Sequence, residues 1–149
     1  MQKTLLLTGI ALIMGGLIPV QSSLNSFLGQ QLKSPLQATF INFAGGLVLA
    51  LFLLLVVFRV TIPSMAVLKE IPWYYYFGGF IGVSFVTMVV MLTPKIGITN
   101  VLAGALVGQL IVSAVMDHFG LLNLNVHPIT WNRVFGIIFL IVGIILTQK

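Results

Sequence analysis

Charge and cysteine are what this sequence lacks. Of its 149 residues only 6 % are charged, and there is no Cys. A soluble domain carries about 25 % charged residues, so this chain is short of the polar surface it would need to dissolve. That excludes an ordinary soluble enzyme, a nucleic-acid binder and a disordered tail. The missing Cys excludes disulfides, thiolate metal sites and cysteine nucleophiles. Acid is scarcest of all: Asp and Glu total 2 against 7 Lys and Arg, a formal charge of +5. The cations stand singly, at Lys3, Lys33, Arg59, Lys69, Lys95, Arg133 and Lys149. They form no basic stripe of the kind nucleic acid needs. Each punctuates an apolar run, in the manner of loop-end anchors in membrane proteins.

What is present instead is apolar. Hydrophobic residues make up 59 % of the chain and the mean hydropathy is +1.17. At about 20 residues per transmembrane helix, five spans fit with short loops between them. The runs predict spans over residues 5–28, 36–58, 73–93, 98–119 and 131–147. The first is read as a retained helix rather than a cleaved signal, since another span follows at once. Ser34-Pro35 predicts a turn before the second, with Pro near the first helical position. Phe43 to Phe58 contains no polar side chain, and Arg59 closes the run. An amphipathic connector with Pro63, Lys69 and Glu70 follows. Trp73-Tyr74-Tyr75-Tyr76 opens the third span as an aromatic girdle, and Trp131 marks the same headgroup level on the fifth. Pro94-Lys95-Ile96-Gly97 predicts a very short turn, and residues 120–127 a polar loop. The expected fold is an all-α integral membrane protein, a single five-helix bundle over residues 1–149. A β-barrel is excluded, because these runs are too long and do not alternate.

Five spans place Lys3, Arg59, Lys69 and Arg133 on one side and Lys33, Lys95 and Lys149 on the other. A four-to-three split instructs orientation weakly under the positive-inside rule. Such a chain can insert in a single, weakly biased orientation, with the N-terminal side in the cytoplasm, or both ways round. The second case makes an antiparallel homodimer equivalent to the inverted halves of many transporters.

Polar side chains inside a span are costly unless paired, so they mark candidate sites. Gln21, Ser22, Asn25 and Ser26 cluster after Pro19, with Gln21 and Asn25 at i,i+4. They suit a solute path, or an interfacial helix end. Thr39 and Asn42 precede the apolar half of the second span, and an interhelical hydrogen bond would account for each alone. Gln109, Ser113 and Asp117 fall at i, i+4, i+8 on the fourth, with Gln109 near its centre. The candidate solute-binding residues are Gln21, Asn25, Asn42, Gln109 and Ser113. Asp117 ends a helix and Arg133 begins one, each wrong-signed for the helix dipole. The expectation is an Asp117–Arg133 ion pair, with a proton or cation site at Asp117 as the functional alternative. Gly104/Gly108, Gly78/Gly82 and above all Gly136/Gly143 offer small-residue faces for helix docking, within one subunit or between two. Asp117, His118 and His127 are too few for a metal site, and no catalytic motif is present, so neither enzyme activity nor a cofactor is expected.

These residues carry a resemblance. Gln21-Ser22-Ser23-Leu24-Asn25-Ser26-Phe27-Leu28-Gly29, Ser34-Pro35-Leu36-Gln37-Ala38, Asn42-Phe43-Ala44-Gly45-Gly46, Gly108-Gln109-Leu110 and Asp117-His118-Phe119-Gly120 resemble the YdcZ-like family of the drug/metabolite transporter superfamily. The likeness spans essentially the whole chain. It implies a five-helix protein of the bacterial cytoplasmic (inner) membrane, equivalent to one half of a ten-helix inverted-repeat transporter and needing a partner copy or a paired homologous subunit. Small multidrug resistance proteins are similar in principle and carry a comparable glycine stripe, but use a carboxylate within the first helix. This chain has Gln21 and Asn25 there and no acid, which favours a neutral or zwitterionic solute over a cationic drug. The expected function is secondary transport of a small metabolite or drug-like solute by a dimer in the lipid bilayer. A membrane scaffold or auxiliary subunit, and a passive pore, are the other readings.

Overall fold

The computed structural model describes residues 2–147, and side chains from 4 to 146. Lys149 and the side chain of Lys3, two of the expected anchors, lie outside the described residues. Among the described residues the structure is helical throughout, with no strand. Six α-helices follow in order: α1 (Gln2–Gln31), α2 (Pro35–Phe52), α3 (Met65–Glu70), α4 (Gly78–Ile96), α5 (Ile98–Phe119) and α6 (Trp131–Thr147). They form two compact units, Met1–Lys95 and Ile96–Lys149.

In the first unit, α1 and α2 are joined by three residues. Lys33 takes a left-handed conformation at φ 52°. The Ser34 N–H reaches back to the Gly29 carbonyl at 3.0 Å and the Lys33 N–H to Gln30 at 3.1 Å. This pair of bonds is a Schellman motif, with Lys33 where glycine is usual. Ser34 then caps α2, its Oγ accepting the Gln37 N–H at 3.3 Å, and Pro35 occupies the first turn, where no N–H is needed. The apolar end of α2 widens into a π turn over Leu53–Val57, and Arg59, at φ 50°, ends it. The aromatic run Trp73–Phe77 forms a 3-10 turn, held to α3 by the Tyr76 hydroxyl, which donates to the Leu68 carbonyl at 2.8 Å.

The core of this unit is small and partly polar. Ala38, Val89 and Val90 are buried, and so are Ser22, Asn25, Ser26 and Thr39. The large Leu, Ile and Phe side chains of α1 and α2 point outward. Water would not tolerate that arrangement, but hydrocarbon does. Gly29 stands where α1, α2 and α4 converge. A Cβ there would lie 2.5 Å from Val90 Cγ1 and 3.6 Å from Ala38 Cβ.

In the second unit, Gly97 at φ 80° separates α4 from α5, and the Asn100 amide donates to the Ile96 carbonyl at 2.8 Å. α5 ends at Gly120, left-handed at φ 61°, whose N–H returns to Met116. Leu121–Asn123 make a 3-10 turn, and α6 then packs on α5.

One boundary moves, and one count is met in part. The third span runs to Ile96, not 93: α4 passes through Pro94. A proline two residues before the last residue of a helix disturbs little beyond it, and Gly97 supplies the break that Pro94 does not. The count of five spans is met only in part. Four helices are long and apolar enough to cross a membrane, over Thr4–Gln31, Pro35–Val57, Trp73–Ile96 and Ile98–Phe119. α6 has 17 residues and is apolar but shorter. At 1.5 Å per residue it is about 25 Å long, against a hydrocarbon core of about 30 Å.

The convergence at Gly29 generates a prediction. Gly29→Ala lowers unfolding stability in detergent by about 1–3 kcal/mol, because β-branched Val90 has little rotameric freedom to yield. The second change Val90→Ala restores part of that loss. Gly45→Ala, where a Cβ meets nothing within 4 Å, is the neutral control.

Candidate functional site

Three side chains set the character of the first unit: Ser22, Asn25 and Ser26, on one face of α1. Their spacing of three and four residues puts them on a single stripe. Pro19, one turn earlier, removes the backbone donor to Gly15 and loosens the helix where the stripe begins. Across from the stripe stands α4, presenting Phe85, Val86, Val89 and Val90. An apolar wall offers the stripe no hydrogen bond. The Ser26 Oγ is buried with no partner, at 2 % exposure. Ser22 and Asn25 line a notch of about 30 Å³ between the helices, together with Ile18 and Gln21.

Gln21 sits at the rim. It lines the notch and also a wider groove of about 720 Å³, open to the outside. Asn42, Phe43, Gly45 and Gly46 of α2 form the other side of that groove, and Val86 of α4 belongs to both spaces. Asn25 therefore borders the notch, Asn42 the groove, and Gln21, between them in the lining, borders both. No charged side chain lines either space. Thr39 donates to the Pro35 carbonyl at 3.0 Å, while Thr87 Oγ1 lies 3.1 Å from Thr39 Oγ1 and 2.8 Å from the Val83 carbonyl. These two hydroxyls tie α2 to α4 and consume each other's capacity, so they belong to the frame and not to the groove.

Gln109 and Ser113 lie in the second unit. Gln109 is exposed on α5. Ser113 donates to its own helix, to the Leu110 carbonyl at 3.1 Å, and lines a groove of about 190 Å³ with Arg133, Gly136 and Leu140. At the end of the same groove Arg133 Nη2 donates to Asp117 Oδ2 at 2.8 Å, with side-chain exposures of 44 % and 26 %. Two further bonds fasten the intervening loop. The His127 N–H donates to the Asp117 carbonyl at 2.8 Å, and the Ile129 N–H to His118 Nδ1 at 3.1 Å. His118 is thus engaged as an acceptor, and no group of three or more metal-ligating side chains forms among the described residues. Within their own unit, a Cβ added at Gly104, Gly108, Gly136 or Gly143 would meet nothing within 4 Å.

The sequence marks Ser22 and Ser26 as members of the α1 cluster but does not by itself carry them into the site. Their signal is the i,i+4 spacing with Asn25 between them. The apolar wall of Phe85, Val86 and Val89 leaves no signal, because every span in this chain is rich in such residues.

The model of the family described as "Putative inner membrane exporter, YdcZ" matches residues 6–146 of the chain. No curated protein and no solved structure matches it.

The half-exposed ion pair generates a prediction. Asp117→Asn and Arg133→Gln each lower stability in detergent by less than about 1 kcal/mol, and a double-mutant cycle gives a coupling of about 0.5 kcal/mol that shrinks in high salt. Proton-coupled flux that survives Asp117→Asn at normal expression eliminates the reading of Asp117 as a proton site.

Proposed function

Because the chain belongs to the YdcZ family of inner-membrane exporters, a family of transporters rather than enzymes, we propose that it moves a small metabolite or drug-like solute by way of the groove on its first unit. The observation that carries this reading is the uncharged groove bordered by the amides of Gln21 and Asn42, with the Asn25 notch sharing Gln21 as a lining residue. Amides read hydrogen bonds without demanding charge. Polar groups lining a cavity at membrane depth are the usual mark of a solute path. Gln109 and Ser113, on the second unit, are further candidate solute-binding residues, and the whole chain acts as one transmembrane domain, with α6 as its fifth crossing.

The working form is an antiparallel dimer, or a pair with a homologous subunit. Two observations support it. Cations are nearly balanced between the expected sides. The faces at Gly104/Gly108 and Gly136/Gly143 leave room for a closely approaching backbone. The same glycine faces favour the second reading, a scaffold or auxiliary subunit with no transport of its own.

Mapping both termini in the same cells separates these readings: termini found on both sides of the membrane support the antiparallel transporter. A single orientation, with monomers in detergent and no solute-dependent stabilisation, supports the scaffold. In proteoliposomes screened with a panel of small metabolites, Gln21→Leu and Asn42→Leu each reduce flux of the active solute by about tenfold, the worth of one lost hydrogen bond in a desolvated site. Gln109→Leu abolishes the thermal shift caused by that solute while leaving the fold intact; an unchanged shift removes Gln109 from the path.

A further inference from the structure

The notch, which shares Gln21 and Val86 with the groove, is too small for a whole metabolite and carries two buried polar side chains. A single water needs about 10–15 Å³ of such space, so a notch of about 30 Å³ has room for about two. Its polar wall is Ser22 and Asn25, both more than nine-tenths buried and neither with a hydrogen-bond partner among the described residues. Asn25 offers two N–H donors and a carbonyl, Ser22 a hydroxyl that does both. The opposite wall, Val89 and Val90, offers nothing.

We propose that this notch is a head-group subsite. Two ordered waters fill it while the groove is free, and the neutral hydrogen-bonding head of a solute lying in the groove, a carboxamide or a hydroxyl, displaces them. The inference rests on the reading of the groove as the solute site, and it adds the class of solute: an uncharged molecule with one donor-and-acceptor head and an apolar body. Displacing an ordered water gains affinity only where the incoming group replaces its hydrogen bonds, so a purely apolar end is rejected. An ion is rejected for a different reason. No Lys, Arg, His, Asp or Glu lines either space, and a buried charge without a partner is strongly disfavoured. Selectivity is one-sided, since only α1 supplies polar atoms and α4 supplies the fit.

The test uses the full chain in lipid nanodiscs and five probes that share one ring: benzamide, benzyl alcohol, toluene, benzylammonium and benzoate. Equilibrium binding is expected to favour benzamide and benzyl alcohol over the other three by roughly tenfold. Asn25→Leu removes the preference. Ser22→Ala, which deletes one oxygen and cannot crowd the core, reduces it by about threefold at unchanged thermal stability, and it decides the matter where Asn25→Leu fails to fold. Toluene or benzylammonium binding most tightly overturns the subsite, as does a ranking that neither variant changes. Flux measured alongside keeps the two ideas apart. The preference without flux sustains the subsite and sinks the transport reading, whereas flux with no head-group preference sinks the subsite alone.

Discussion

A polar side chain inside a bilayer has no bulk water to turn to, and the first unit is built around that fact. Hydrocarbon gives helices no hydrophobic reason to associate; packing and hydrogen bonds must hold them together. α1 therefore turns its leucines outward and its serines and asparagine inward. Where α2 meets α4 the demand is met by one threonine answering another, Thr87 to Thr39. Where α1 meets α4 it is not met, because α4 presents valines. The unpaired stripe and the notch beside it are two descriptions of one mismatch. Gly29, at the end of the same stripe, lets Val90 come close enough to hold the helices together below the gap.

Much of this was legible in the residues. Long apolar runs and single cations mark the first two spans to within a few residues, and Ser34-Pro35 marks the start of α2. Pro94 misled because proline is read as a helix stop, yet near a C-terminus its missing N–H removes a single bond. The π turn after Phe52 carries no mark at all in a run of Leu and Val. For the site, amide spacing pointed to Gln21 and Asn25. Which of them would be buried was not legible: a polar face is identifiable by period, but the helix that faces it is not. The Asp117–Arg133 contact was legible because two charges each opposed to a helix dipole have a common remedy in each other.

The second unit shows how the loop between α5 and α6 is held to the end of α5. Three bonds of different chemistry converge on the last turn of α5: a carboxylate to a guanidinium, a carbonyl to an amide N–H, and an imidazole nitrogen to another amide N–H. Gly120 makes the reversal possible, since a Cβ there would sit 2.8 Å from Val126 Cγ2 on a backbone already left-handed. α6 is thereby delivered to α5 in a defined register, which keeps Arg133 and Ser113 on one groove.

The described length of α6, Trp131–Thr147, has a consequence for the lipid. In the proposed arrangement these turns, about 25 Å long, would cross an apolar layer about 5 Å thicker. The acyl chains around them must compress, at a fraction of a kcal/mol for each ångström of mismatch. Strain of this kind is relieved when two short helices share one dimple, so the membrane itself would push the glycine-bearing faces of two α6 helices together. Association would then weaken in thinner bilayers and strengthen in thicker ones, making membrane thickness a control on assembly.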